Sequence, residues 1–190
     1  MKKIALLAMT AAAAIATPAM AQNVTGQINL LGTVGPKCIV GSGPGATFSD
    51  TVNFGALDQT NGTLRTDLAT VFGTRTFTVK CNSGNPGLSI EAVPLSTAGA
   101  AAAGYDNSID YSATLSVDVA NSGTPTTVTD ASGTAGPSTG PAGGPLANAT
   151  GNVRITTAGY ATGSLTDLLV AGSYGNSVDN GVIKVIISPN

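Results

Sequence analysis

The sequence contains no histidine and no tryptophan, and only 9% of its 190 residues are charged. Without histidine, neither a Ser-His-Asp triad nor a Cys-His pair can be assembled, which excludes these nucleophilic mechanisms. Without tryptophan, and with aromatic residues at only 4%, a stacking platform for sugars is hard to build. We therefore expect no enzyme and no cofactor, and this composition disfavours the alternative of a carbohydrate-binding module.

Positive charge is also scarce. The chain has 8 lysine and arginine residues against 10 aspartate and glutamate residues, a formal net charge of 8 − 10 = −2. Loss of Lys2 and Lys3 with the N-terminal segment described next gives 6 − 10 = −4. Such a chain lacks the electrostatic footprint of a protein that binds nucleic acid or an anionic membrane.

The first 21 residues have the pattern of a bacterial secretory signal peptide. A short positive head at 1–3 precedes an apolar stretch at 4–16, which is too short to remain across a bilayer. Small residues at 18–21 offer a cleavage site that leaves Gln22 as the new N-terminus. No later apolar run is long enough for a membrane helix. We expect a soluble chain, exported through the periplasm to the cell surface or beyond, without membrane insertion.

The two cysteines, Cys38 and Cys81, are expected to form one disulfide, because an exported chain enters an oxidising compartment. The chain-entropy model gives such a bond a stabilisation of roughly 4 kcal/mol. Two cysteines without histidine are too few ligands for a closed zinc site. Asp106, Asp110 and Asp118 suggest a calcium site, but they lack the glycine and distal glutamate of an EF-hand loop. We expect no metal.

In residues 22–34, apolar residues and glycines alternate with polar residues from residue 23 onward, and only Leu31 breaks the pattern. This alternation is typical of a half-buried strand. The glycine and proline at 35–36 join this segment to the rest of the chain and would let it swing free. Two interpretations are open: a strand for a neighbouring molecule, or an ordinary first strand of the chain's own sheet. The residues of one face are Val24, Gly26, Ile28, Leu30, Gly32 and Val34.

The remaining sequence predicts a single antiparallel β-sandwich at 37–190, preceded by the 22–36 segment. Short β-rich segments alternate with glycine, proline and asparagine turns, and no helical period is sustained. Residues 120–149 are low in complexity and predict a long surface loop, with at most an edge strand at 126–129. In the last strand, Ile183, Val185 and Ile187 share an apolar face. The predicted strands begin at residue 38 and continue at 51–57, 71–81, 88–93, 111–119, 152–157, 165–170 and 181–188.

Five short motifs follow one another along the chain: VTGQ at 24–27, CIVG at 38–41, VNFG at 52–55, FTVKC at 77–81 and AGSY at 171–174. Their order resembles archaic-type chaperone–usher pilins, whose subunits share a domain with the spore coat protein U family. Three features depart from that pattern. The 120–149 loop is longer, residues 175–180 are inserted before the last strand, and the chain ends in Ser-Pro-Asn.

The resemblance implies an immunoglobulin-like sandwich that lacks its last strand and is completed by a donor strand. In such pilins a periplasmic chaperone fills the groove until, at the outer-membrane usher, the N-terminal tail of the next subunit replaces it. The implied function is a shaft subunit of a homopolymeric surface pilus that supports adhesion and biofilm formation. The alternative is a self-complemented, monomeric secreted protein of the spore-coat-U type. Whether the 22–34 strand serves a neighbour or its own domain remains open.

Overall fold

The computed structural model describes residues 27–41, 48–164, 166–175 and 179–190. The predicted signal peptide at 1–21 and the predicted donor residues Val24 and Gly26 lie outside these residues. Residues 27–34 belong to a separate unit from the compact unit Gly35–Asn190. The fold described below is that of the compact unit.

The prediction of an all-β protein is confirmed. Among its described residues the compact unit contains strands and one short helix. The elements, in chain order, are β1 (Cys38–Val40), α1 (Leu68–Phe72), β2 (Arg75–Phe77), β3 (Val79–Cys81), β4 (Gly87–Ala92), β5 (Leu95–Ser96), β6 (Tyr105–Asp106), β7 (Ser108–Val117), β8 (Thr126–Ala131), β9 (Ser138–Pro141), β10 (Val153–Ala161), β11 (Leu168–Leu169) and β12 (Ile183–Ser188).

The strands form two main antiparallel sheets, with a core between them. In the first sheet β2, β10 and β7 are neighbours, and both β5 and β8 pair with β7. In the second sheet β4 lies between β12 and β9. β1 pairs with β3 in a separate two-stranded ribbon, and β6 pairs with β11 in a short parallel one.

The strand order corresponds to that of an immunoglobulin domain, in which strands A, B, E and D form one sheet and C, F and G the other. β1 takes the place of A, β2 with β3 that of B, β10 that of E and β7 that of D. β4 and β12 take the places of C and F. Among the described residues, no strand occupies the place of G beside β12.

Alternating burial in the longest strand fixes how the core is built. Along β7 the inward residues are buried and the residues between them are half-buried or exposed, as the period-2 pattern predicts. β4 repeats this arrangement from the opposite sheet. The buried residues of these two strands are Ile109, Tyr111, Ala113, Leu115 and Val117 in β7, and Leu88, Ile90 and Ala92 in β4.

The prediction of a long surface loop at 120–149 is wrong. This segment contains β8, which is longer than the predicted edge strand, and β9, which pairs with β4 in the second sheet. Val128, Ala142 and Leu146 are buried in the core. Apart from proline, the segment has only two apolar residues larger than alanine, Val128 and Leu146, and both enter the core.

The predicted strands at 51–57 and 71–81 also need correction. Residues 51–57 form no strand in the structure. In the 71–81 segment only β2 and β3 are strands, because the chain before them turns through α1. Leu68 and Phe72, one helical turn apart, are buried, and Gly73 ends the helix with a φ of 66°.

The predicted disulfide between Cys38 and Cys81 is confirmed. The two cysteines are direct partners across β1 and β3, with their Cα atoms 4.1 Å apart. Both are half-buried and pack against the core. The bond therefore fixes a three-residue strand that has little other pairing.

Candidate functional site

The two long sides of the sandwich differ in how they are closed. On one side, β8 extends the first sheet and β9 extends the second, and the chain passes directly from one strand to the other. Asp130 of β8 also accepts a hydrogen bond from the amide of Ala92 in β4, at 2.8 Å. The opposite side lies between β2 and β12, and no described strand joins these two edges. We call this the open side.

The apolar face of β12 is incompletely covered at the open side. Ile183, Val185 and Ile187 pair directly with Ala92, Ile90 and Leu88 of β4. The three β4 residues are at most 3% exposed, whereas their β12 partners are only half-buried. Because paired residues face the same side of a sheet, this difference reflects the missing cover beyond β12.

A row of aromatic rings connects residues 48–57 to the beginning of β12. The ring of Phe54 meets that of Tyr160 edge-on at 5.7 Å, and Tyr160 stacks on Tyr111 at 5.2 Å. The Tyr111 hydroxyl donates hydrogen bonds to the carbonyls of Val93, at 2.9 Å, and Val182, at 3.3 Å. These rings form an apolar floor along the open side. No local sequence pattern indicates this row, because its members are widely separated along the chain.

Residues 48–57 lie along this side without joining a sheet. Side chains hold the segment: Asp50 pairs with Arg75 at 3.4 Å, and the Arg65 guanidinium donates to the carbonyls of Phe54 and Ala56. From residue 48 to residue 56, no backbone–backbone hydrogen bond to another described residue is formed. The open side is therefore bounded by the outer edge of β12 and by this segment, whose backbone is held by side chains rather than by a neighbouring strand.

The Tyr111 hydroxyl makes the stability of the sandwich sensitive to alkaline pH. Burial, reinforced by the neighbouring Tyr160, raises the pKa of Tyr111. The folded chain thus favours the neutral phenol. This contribution to stability is complete below the pKa of an unfolded tyrosine, about 10, and is lost as the pH rises above that value.

We expect Tyr111→Phe to lower the free energy of unfolding at about pH 8 by about 1–3 kcal/mol, because the half-buried carbonyl of Val93 loses its donor, whereas that of Val182 keeps the amide of Val93. The variant should also lose less stability than the wild type between about pH 9 and about pH 11. Urea unfolding at each pH measures both effects. Tyr105→Phe removes a hydroxyl from an exposed ring and is the control at pH 8. Equal pH slopes for Tyr111→Phe and wild type would contradict this account.

The described part of the predicted donor segment exposes its apolar residues. Ile28, Leu30 and Val34 are between 86% and 91% exposed, and Leu31, which breaks the alternation, is 97% exposed. Residues 27–34, including Gly32, form no strand. Residues 27–34 therefore expose apolar side chains, and their backbone makes no hydrogen bond to another described backbone group.

The carboxylates considered as metal ligands do not come together. Asp118 forms an ion pair with Arg154, which holds the pKa of Asp118 below its usual range. Asp110 lies near the other end of β7. No group of three or more candidate metal ligands occurs within the described ranges. In the same ranges, no helix has the length and apolar character needed to cross a membrane.

The fold and the open side define the class of protein: an antiparallel β-sandwich in which β8 and β9 close one long side, while the other side has, among the described residues, an unpaired apolar edge strand. Searches among protein-family models, curated proteins and solved structures found no match. The open side and the N-terminal segment are the features of the chain that bear on its function.

Proposed function

We propose that the chain is a structural subunit of an exported surface fibre, assembled by donor-strand complementation. Residues 22–34 of one copy add a strand along the free edge of β12 in the next copy. The role of the protein is mechanical and adhesive, as a shaft subunit that supports attachment and biofilm formation. It needs no cofactor and carries out no catalysis.

The half-buried apolar face of β12 is the observation that carries this proposal. A strand added beside β12 would pair its free backbone groups and cover Ile183, Val185 and Ile187. Unpaired edge strands are an aggregation hazard that proteins usually blunt with charge, proline or a covering element. The charged residue of this edge, Lys184, is engaged with Glu91 and Asp179, and it leaves the apolar face unprotected.

The N-terminal segment has the chemistry of such a strand. Residues 22–36 contain no charged side chain, so the segment can enter an apolar site without desolvating a charge. Its exposed residues Ile28, Leu30 and Val34 recur on one face, at the spacing of pockets along a strand. In strand addition, backbone hydrogen bonds provide affinity and alternate side chains provide specificity.

The energetics favour a long-lived joint. Burying each aliphatic side chain of the segment contributes about 1.5–3 kcal/mol, so several together give slow dissociation. A head-to-tail contact of this kind uses different surfaces on its two sides, and it generates a filament when the rotation does not close. Before assembly the open side needs a temporary cover, which is the role we assign to a periplasmic chaperone, with an outer-membrane usher at the site of assembly.

Deleting residues 22–34 tests the proposal. Mature protein produced in a periplasm should form thin fibres in negative-stain microscopy and ladders on unheated denaturing gels. The deletion variant should form neither. A stable monomer that unfolds or aggregates only when the segment is deleted would support the alternative, a self-complemented secreted sandwich, and would overturn the fibre.

A pair of substitutions in β12 tests the acceptor edge. Val185→Asp places a charge on the half-buried face and should abolish fibre formation, because an incoming strand would have to desolvate that charge. Ile186→Asp, on the opposite and 63% exposed face of the same strand, is the matched control and should still polymerise.

The donor is tested in the same way, so that a folding defect in Val185→Asp does not decide the outcome. Ile28→Asp with Leu30→Asp should prevent polymerisation, whereas Asn29→Asp, on the other face, should not. Circular dichroism checks that each variant is folded. Fibres from the Ile28 and Leu30 variant would contradict the assigned donor face.

A further inference from the structure

The ion pairs of the compact unit leave two lysines without a partner. Without Lys2 and Lys3 the chain has six basic residues, and four of them lie within 4.0 Å of a carboxylate. Lys37 and Lys80 do not, although every aspartate and glutamate of the chain lies in the described ranges. Ion pairing has thus neutralised the basic side chains everywhere except at these two positions.

The two lysines share one face of the β1–β3 ribbon. Lys80 pairs directly with Ile39, and the backbone of Lys37 exchanges hydrogen bonds with Asn82, so all four residues point outward together. Both lysines line a shallow cleft whose other wall includes Leu146 and Asn148. We call this the lysine end. The main chain of Asn190 bonds Ser83 nearby, so a free C-terminal carboxylate would offset one of the two charges.

Five carboxylates have no ion pair: Asp130 is buried and hydrogen-bonded to Ala92 and Ser138, and the other four lie at the other end of the sandwich. Asp106 lies in β6 and Asp110 near the beginning of β7, and Asp167 precedes β11, the partner of β6. Asp58 belongs to a hairpin whose Gly62 carbonyl accepts a hydrogen bond from Leu169 of β11. We call this the aspartate end. The nearby pair of Arg65 with Asp67, and that of Lys184 with two carboxylates, add no net positive charge.

The pairing register of the strands shows that the lysine end and the aspartate end lie at opposite ends of the strands. Val153 pairs with both Val117 and Phe77, and the chain continues from Phe77 past that point to Lys80. Asp110 pairs with Ala161, at the other end of β10. The seven-residue distance from Asp110 to Val117 corresponds to roughly 23 Å at about 3.3 Å per residue. The sandwich therefore carries positive charge at one end and negative charge at the other.

We propose that the lysine end of one copy docks on the aspartate end of the next copy in the fibre. This inference rests on the proposed function and adds a second contact to the donor strand. The N-terminal segment leaves the compact unit at the lysine end, because the Gly35 carbonyl accepts a hydrogen bond from Asn82 there, at 3.0 Å. Each donor copy thus presents its lysines beside the root of the strand that it donates.

The direction of strand addition decides which ends meet. β12 begins at the aspartate end, where Val182 accepts a hydrogen bond from Tyr111, the residue after Asp110. A donor strand antiparallel to β12 leaves the acceptor at the beginning of β12, so it brings lysines against aspartates. A parallel donor strand would bring the lysine end of the donor against the lysine end of the acceptor. The charge arrangement therefore favours antiparallel addition.

The contact acts mainly on the rate and geometry of assembly. Exposed ion pairs contribute little to equilibrium stability because water and salt screen them. Complementary charged surfaces nevertheless steer encounter, and they raise association rates by about tenfold or more at low salt. We expect Lys37→Glu with Lys80→Glu to slow fibre growth by about tenfold at low ionic strength.

Two further variants separate a specific contact from a general charge effect. Lys37→Arg with Lys80→Arg keeps the charge and should grow at the wild-type rate. Adding Asp58→Lys and Asp167→Lys to the double glutamate variant restores the wild-type net charge, removes the repulsion between the ends and should recover most of the rate. Fibre growth is followed by light scattering from about 0.01 M to about 1 M salt, where the Debye length falls from about 30 Å to about 3 Å.

Carbodiimide cross-linking of wild-type fibres reports the contact directly. Mass spectrometry should find Lys37 or Lys80 joined to one of the four aspartates of another copy. Fibres with neither this cross-link nor a charge-reversal effect would overturn the contact and leave the fibre intact, with the lysine end open to a different acidic partner. A wild-type chain that forms no fibre would overturn both proposals.

Discussion

Replacing Asn152 with alanine is expected to lower the free energy of unfolding by about 3–5 kcal/mol, which would be among the largest effects of any single substitution in this chain. The Asn152 side chain is 1% exposed and spans the connection between the two parts of strand B. It accepts a hydrogen bond from the Val79 amide at 2.9 Å and donates to the carbonyls of Val79 and Ala147, both at 2.7 Å.

The large effect follows from what alanine leaves behind. At Thr78 the chain passes from β2, which pairs with β10, to β3, which pairs with β1. The backbone N–H and C=O of Val79 both bond the side chain of Asn152. In the alanine variant these two buried groups of Val79 therefore have no partner. Each such group costs about 1–3 kcal/mol.

Urea unfolding at neutral pH measures this prediction. Asn148→Ala, at an exposed asparagine a few residues earlier, is the matched control and should change stability by less than about 0.5 kcal/mol. An Asn152→Ala variant that is as stable as the control would mean that Val79 finds other partners, and the structural role assigned to this side chain would be wrong.

Removing the disulfide with Cys38→Ala and Cys81→Ala should lower the free energy of unfolding by about 4 kcal/mol. The two residues are 43 positions apart, so the bond restricts a long loop in the unfolded chain. β1 has three residues and pairs with β3 alone, so its attachment depends on this bond more than that of any longer strand. A loss of this size corresponds to a drop in Tm of roughly 8–16 °C for a domain of this length.

Calorimetry of the double variant, beside wild type with and without reductant, checks the expected change. Hydrogen exchange should become faster at the amides of β1. After correction for the lower free energy of global unfolding, the amides of β7 and β10 should exchange as slowly as in the wild type. A double variant with wild-type Tm would show that packing of β1 alone is sufficient. Reduced wild type should resemble the variant, which controls for the two substitutions.

The sequence was sufficient to predict the long strands and the disulfide. Tyr111 to Val117 alternate without interruption, and a strand with that pattern has only one way to face a core. The β12 face of Ile183, Val185 and Ile187 was identified for the same reason. The chain has two cysteines, which leave one possible pairing, and the structure contains it.

Other parts of the fold depend on contacts that no local pattern encodes. β9 consists of small and polar residues that become a strand because β4 offers them an edge. Residues 51–57 have strand-like composition, yet they have no neighbour with which to pair among the described residues. α1 is specified by two buried residues one turn apart, which is too short a signal to be read as a helix.

The candidate site could be predicted only in part for a related reason. The apolar residues of the donor segment and of β12 stand out as alternating patterns, one strand at a time. The aromatic row of Phe54, Tyr160 and Tyr111 joins residues that are widely separated in sequence. The lysine end and the aspartate end could not be predicted from the sequence either. They are defined by the charged side chains that have no ion pair, and the ion pairs are known only from the structure.

Strands β8 and β9 close one long side of the sandwich, and this sets the number of connections that each molecule can make. Under the proposed function, the open side of the described fold offers one acceptor edge, that of β12, and each chain donates one N-terminal segment. In polymer terms the subunit is bifunctional, with two unlike ends. Under the proposed function, growth is therefore linear, polar and unbranched, and one copy that lacks its N-terminal segment terminates a chain at one end only.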